Sequence, residues 1–104
     1  MTFSEELNKY IEQINCSSKD LSNASELSSS VISRYRKGER TPALKSKQLE
    51  QLINGLYELS QNNEIELSKQ EISRTLSRSL NDIDIDFEEL LKNIYDNKSK
   101  IENE

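Results

Sequence analysis

One stretch of this chain, residues 17–42, constrains the fold more than any other. It reads SSKDLSNASELSSSVISRYRKGERTP. Ser17 or Ser18, and later Ser28, are favourable N-cap residues, because a hydroxyl there accepts a hydrogen bond from a free N–H of the first helical turn. Gly38 stands where a helix commonly ends in the left-handed conformation. The stretch therefore predicts two short helices joined by a tight turn.

Apolar spacing in this stretch predicts how the two helices pack. The first is expected over about 18–25 and the second from Ser28 to about Lys37, with Glu26 in the turn. A positive φ at Glu26 would cost some strain. Five side chains at helical spacing predict one shared buried face. They are Leu21, Ala24, Leu27, Ile32 and Tyr35. The outward face of the second helix is polar and holds Ser29, Ser30, Ser33, Arg34 and Lys37.

These residues resemble the helix-turn-helix of the phage-repressor and Cro type, also called the xenobiotic-response-element family. The resemblance rests on Leu21, Leu27 and the run 28–42, in which a Gly follows a basic pair and Arg-x-Pro closes the motif. It covers roughly residues 3–60 and is more specific than a lone short motif. It implies an all-α fold: a five-helix repressor-like domain that binds double-stranded DNA. We expect this domain over 1–62 and a helical extension over 63–104.

The resemblance also implies which side chains meet DNA. Ser29, Ser30 and Arg34 fall where base contacts are usual, and Ser33 lies on the same outward face. Arg34 is the only one of these able to contact guanine through two hydrogen bonds, worth ~1–3 kcal/mol of discrimination. We expect specificity to rest on Arg34 and on DNA shape. The alternative for Arg34 is a surface ion pair with an acidic neighbour.

Phosphate contacts are expected on both sides of the recognition helix. Ser18 and Lys19, at the start of the preceding helix, fall where the family holds a phosphate. The basic run that ends the recognition helix and follows it would supply the others. They are Arg36, Lys37, Arg40, Thr41, Lys45 and Lys47.

The charge distribution permits DNA binding although the net charge of the chain is −5. Residues 34–47 carry six basic groups and one acidic group, a net charge of +5. Residues 48–104 carry six basic and thirteen acidic groups, a net charge of −7. Phosphate attraction acts within a Debye length of ~8–10 Å, so a local basic patch can bind despite an acidic remainder. By itself, the patch would be explained as a solvated basic helix end that suits the helix dipole.

Two further helices are predicted around this unit. A capping box of Thr2 and Glu5 starts the first helix of the chain, which is expected to end near residue 15. A helix over about 46–60 follows Pro42, and Gly55 within it would allow a close contact with another helix.

The second half of the chain predicts two more helices. Ser68 and Glu71 form a capping box that starts a fifth helix over about 68–80. Residues 81–86 are expected to be an extended linker, and a sixth helix then carries five apolar residues on one face. These five, the C-terminal stripe, are Phe87, Leu90, Leu91, Ile94 and Tyr95. Residues 97–104 are expected to fray.

The C-terminal stripe needs a surface to pack against. The chain's own core, a second copy of the chain, or a domain this chain lacks could each provide it. Analogy with the family, whose members commonly dimerise on two-fold symmetric sites, favours a homodimer contact.

The sequence gives little support for an enzyme, a metalloprotein or a membrane protein. Histidine is absent, and a single Cys16 offers neither a Cys-His pair nor an internal disulfide. Alternating acids at Asp82, Asp84 and Asp86 lack the Gly and the closing Glu of a calcium loop, since Asn93 holds the last position. No cofactor or metal is expected. No apolar run approaches ~20 residues and no signal pattern begins the chain, so we expect a cytoplasmic protein.

Two hypotheses of function follow. The leading one is a sequence-specific transcriptional regulator, a repressor that binds a palindromic DNA site as a homodimer. The alternative is a protein-interaction module, antitoxin-like or inhibitor-like, that keeps the helix-turn-helix scaffold and engages a protein partner through residues 63–104. The net charge of −7 over residues 48–104 motivates this alternative.

Overall fold

The computed structural model of the protein describes residues 2–80. Five helices occupy this range, and no strand occurs within it. They are α1 (Phe3–Ile14), α2 (Ser18–Ser25), α3 (Ser29–Lys37), α4 (Lys47–Asn62) and α5, which runs over residues 69–80 of the described part. The predicted all-α fold is confirmed for these residues.

Local capping fixes where the helices of the central pair begin and end. Ser17 caps α2, since its Oγ accepts from the Asp20 N–H at 3.0 Å while an Asp20 carboxylate oxygen accepts from the Ser17 N–H at 3.0 Å. Ser28 caps α3 by accepting from the Val31 N–H at 3.2 Å. Gly38 ends α3 with φ +76°. Both predicted helices are confirmed at their predicted positions.

The turn between α2 and α3 contains a residue with positive φ. Glu26 ends α2 in the left-handed conformation, with φ +64°. Its N–H donates to the Ser22 carbonyl at 3.0 Å, and the Ser22 hydroxyl donates to the Leu27 carbonyl. These hydrogen bonds hold a turn whose geometry would suit Gly better than Glu.

A close contact between α2 and α4 depends on Gly55. A Cβ atom at Gly55 would lie 2.8 Å from the Ser25 Cβ and 2.9 Å from the Ser25 Cα. Ser25 itself is buried at this contact. The predicted role of Gly55 in a close helix contact is confirmed, and it fixes the distance between α2 and α4.

All five helices contribute to one buried apolar cluster. Tyr35 of α3 is 2% exposed and meets the ring of Phe3 edge to face, with 5.9 Å between the ring centres. Leu21 and Ile32 are fully buried, as predicted. Ala24 and Leu27, which were expected on the same buried face, are only half-buried, and Leu27 packs against the cluster.

Helix α5 belongs to this cluster as well. Ile72 and Leu76 are fully buried, and Leu67, just before the helix, is 8% exposed. Residues on both sides of position 62 therefore contribute to one buried cluster, and the division of the chain at that position stays a prediction. Within residues 2–80, none of the helices combines the length and the apolar character that crossing a bilayer requires.

Several predictions concern residues outside the described range. They are the linker 81–86, the sixth helix with its C-terminal stripe, and the frayed tail 97–104. These stay predictions.

Candidate nucleic-acid interface

The outward face of α3 is the first part of the candidate interface. Ile32 and Tyr35 bury the opposite face of this helix. Ser29, Ser30 and Arg34, the residues expected at DNA bases, are all exposed. On a helix, Ser30 and Arg34 are four residues apart and therefore neighbours on one surface. The packing of α3 thus presents a short hydroxyl group and a long guanidinium side by side.

A small pocket lies where α1, α2 and α3 meet, beside that face. This α1–α2–α3 pocket has a volume of about 300 Å³. Its lining residues are Asn8, Ser18, Ser33, Arg36 and Lys37. Four of these five were predicted DNA-contact residues, which were chosen at separate places in the sequence.

Arg36 organises this pocket. Its Nε–H donates to the Asn8 side-chain oxygen at 2.7 Å, and its NH1 group donates to the Ser18 Oγ at 2.7 Å. The Asn8 side-chain amide in turn donates to the Arg36 carbonyl at 2.9 Å. These contacts connect α3 to both α1 and the first turn of α2.

The network changes what can be expected of Arg36. A guanidinium has five N–H donors, and two of those of Arg36 are used in hydrogen bonds within residues 2–80. Arg36 also lines the pocket, so an acceptor bound there would lie beside its guanidinium. The prediction that Arg36 contacts phosphate is therefore joined by a structural role that the sequence analysis did not anticipate.

Asn8 is the residue of this network that sequence analysis missed. It lies on α1, 28 residues from Arg36, and is half-buried. The sequence offered only a weak signal: an amide in the middle of an amphipathic helix whose other polar residues are mostly charged. An i-to-i+28 contact cannot be found from helical periodicity.

The remaining predicted phosphate contacts are exposed. Lys19 lies in the first turn of α2, and Lys37 in the last turn of α3. The other exposed members follow α3 along the chain and are Arg40, Thr41, Lys45 and Lys47. Pro42 is buried among them and anchors this connection to the domain.

Lys45 does not share the α1–α2–α3 pocket. It has a φ of +61° and lines a different surface, a groove between α4 and α5. The structure therefore brings Ser18, Ser33, Arg36 and Lys37 together around the α1–α2–α3 pocket. Lys45 lies instead at the groove between α4 and α5.

The thiol of Cys16 lies close to the start of α2. It is half-buried and contacts the Ile11 carbonyl at a distance of 3.9 Å. Burial raises the pKa of this thiol, with a further rise from the nearby Asp20 carboxylate. A raised pKa disfavours the reactive thiolate, so this environment favours an unreactive thiol. Among the described residues no group of three or more acidic, Cys or His residues could hold a metal ion.

Comparisons of this chain with protein-family models, with curated proteins and with solved structures gave no match. The geometry of α2, α3 and their surroundings is therefore the basis for the functional argument.

Proposed function

We propose that this protein is a sequence-specific transcriptional regulator that inserts α3 into the major groove of double-stranded DNA. In this proposal it acts as a repressor of the Cro-like type and binds a palindromic site as a homodimer. The observation that carries the proposal is the exposed pair Ser30 and Arg34 on α3, supported from behind by buried Ile32 and Tyr35. The major groove admits one α-helix, so a helix presenting polar side chains away from its core has the required form.

Local charge supports the same docking. The last turn of α3 contains Arg34, Arg36 and Lys37, and the connection after it adds further cations. This segment carries the +5 balance of residues 34–47. Phosphate neutralisation by such a segment supplies sequence-independent affinity and makes the binding constant fall with salt.

The α1–α2–α3 pocket provides a place for one backbone phosphate. The Ser18 hydroxyl lies at the first turn of α2, where the helix dipole favours an anion. Arg36 and the exposed Lys37 line the same pocket. A phosphate held there would set the position of α3 relative to the duplex without reading sequence.

Arg34 gives the direct test of this proposal. A preferred site is first selected from random duplex DNA, and dissociation constants are then measured by fluorescence anisotropy over a range of salt concentrations. Arg34→Ala should cost ~1–3 kcal/mol at one base pair and relax the preference there. Arg40→Ala should weaken binding to all sequences alike and reduce the salt slope by about one phosphate.

Arg78→Ala is the matched control. Arg78 is an exposed arginine on α5, so its removal changes the net charge equally without touching α3. Its dissociation constants should equal those of the unaltered protein. If Arg34→Ala and Arg40→Ala also bind DNA like the unaltered protein, α3 does not dock as proposed.

A folded protein with no DNA affinity at low salt would instead favour the protein-interaction module. In that case the acidic residues of 63–104 are the part of this chain to test for contact with a protein partner. Pull-down of a partner that is lost when the acidic residues of this range are neutralised would support that alternative.

A further inference from the structure

A groove between α4 and α5 is a second concave surface of the described part, and no residue of α3 lines it. This α4–α5 groove has a volume of about 790 Å³ and is open to solvent. Leu49, Ile53 and Tyr57 of α4 line its floor, and Ser73 and Ser77 lie along α5. Tyr57 is only half-buried, so an aromatic side chain of the groove still has surface to cover.

We infer that the α4–α5 groove is the docking site of the C-terminal stripe of the same chain. The stripe is Phe87, Leu90, Leu91, Ile94 and Tyr95, the apolar face of the predicted sixth helix. When the apolar face of an amphipathic helix packs on the apolar floor of a groove, both surfaces are removed from water, and this burial is favourable in free energy. The inference is independent of DNA binding.

Length and connection fit an antiparallel return of the chain. The α5 side of the groove extends from Ser68 to Ser77, roughly 14 Å at 1.5 Å per residue. The stripe from Phe87 to Tyr95 would cover roughly 12 Å as a helix. The six residues 81–86 can span at most about 20 Å, enough to turn back from the end of α5 to its side. Connections of 2–8 residues are usual between neighbouring antiparallel helices, about the length available here.

Charge favours the same occupant. Lys45, Lys69 and Arg74 border the groove, against one acid, Glu50. Residues 81–104 carry eight acidic and three basic groups. Within and directly after the stripe stand three acids, Glu88, Glu89 and Asp96, and one base, Lys92. A basic border around an apolar floor is therefore complementary to an acidic helix with an apolar face.

The stripe of the same chain has an advantage over that of a second copy. A short connection that can span the distance gives an effective concentration in the millimolar range, well above that of a dilute protein. The C-terminal stripe was predicted as a dimer contact by analogy alone, and docking within the chain would leave dimerisation to another surface.

Protection of a thiol placed in the stripe tests the inference. Cys16→Ser removes the natural thiol, and Leu91→Cys places one in the middle of the stripe of the full chain. Its reaction rate with iodoacetamide, a neutral reagent, is compared with that of Lys98→Cys in the same background. Docking should slow the Leu91→Cys reaction at least about tenfold, because only the open form reacts.

A pair of double charge reversals shows whether the groove provides the protection. Lys69→Glu with Arg74→Glu reverses two exposed groove cations and should speed the Leu91→Cys reaction by roughly tenfold, at the upper range of exposed ion pairs. Lys9→Glu with Arg78→Glu makes the same charge change at two exposed residues outside the groove and should leave the rate unchanged. Circular dichroism verifies that both variants are folded.

Three results would overturn the inference. A Leu91→Cys reaction as fast as that of Lys98→Cys would mean that the stripe is not covered. Protection that both double variants change equally would place the stripe elsewhere. Protection that increases with protein concentration, in parallel with a dimer seen by sedimentation, would assign the groove or the stripe to a second copy. Protection that is independent of concentration and lost only with the groove reversals supports it.

Discussion

Replacing Arg36 by Ala should destabilise the fold, whereas the same change at Arg34, two residues away, should not. Arg36 is half-buried and donates to the side chains of Asn8 and Ser18, both at 2.7 Å. Arg34 is exposed on the outward face of α3. The two variants are closely matched, since each loses one positive charge and gains one alanine within the same helix.

The expected magnitude follows from the two hydrogen bonds. A hydrogen bond that involves a charged group contributes roughly 1.5–3 kcal/mol, and partial exposure places these two near the lower value. Water can reach the half-buried Asn8 and Ser18, which limits the cost of leaving them without a donor. Arg36→Ala should therefore lower the free energy of unfolding by about 2–3 kcal/mol, against at most about 0.5 kcal/mol for Arg34→Ala.

Urea denaturation followed by circular dichroism measures both values. A third variant, Asn8→Ala, removes both the acceptor of the Arg36 Nε–H and the donor to the Arg36 carbonyl while keeping every charge, and should cost about 2 kcal/mol. Fluorescence anisotropy of DNA binding by the same variants then separates the positioning role of this network from the effect of charge. Asn8→Ala should weaken DNA binding with little change in the salt dependence of the binding constant, because the number of cations is the same. Equal stability of Arg36→Ala and Arg34→Ala, within about 0.5 kcal/mol, would refute the idea that Arg36 ties the three helices together.

Three other substitutions test the rest of the unit. Gly55→Ala should lower the free energy of unfolding by about 1–3 kcal/mol in urea, although Ala is the better helix former, because its Cβ would meet Ser25 at 2.8 Å; a gain in stability would contradict the close contact. Glu26→Gly should raise thermal stability by up to about 1 kcal/mol, because φ is +64° there; an unchanged or lower melting temperature would show that the left-handed turn is not strained. Hydrogen bonding to the Ser17 backbone N–H and hydroxyl lowers the pKa of Asp20. The stability that this Ser17–Asp20 cap contributes is therefore present above the ordinary Asp pKa of about 3.9 and is lost as pH falls below it. Asp20→Ala should therefore flatten the loss of stability between about pH 4 and pH 2, and an unaltered acid profile would remove Asp20 from the explanation.

The beginnings and ends of the helices were predictable because they depend on neighbours in sequence. A cap such as Ser28 reaches an N–H only three residues away, and Gly38 adopts its positive φ without help from the rest of the fold. The inward positions of Ile32 and Tyr35 follow in the same way from the helical repeat. So does the exposed position of Arg34, and with it the basis of the proposed DNA contact.

Contacts between distant helices were decided only by tertiary structure. The sequence placed Arg36 among the expected phosphate contacts, and packing of α1 against α3 brings the Asn8 side-chain oxygen within 2.7 Å of its Nε and adds a structural role. Helical spacing placed Ile72 and Leu76 on one face of α5 but did not show that they would be buried with the rest of the core. Helical periodicity states which face of a helix is apolar, but not which other face will cover it. That choice depends on the distances and angles between helices, which for α2 and α4 follow from the missing side chain of Gly55.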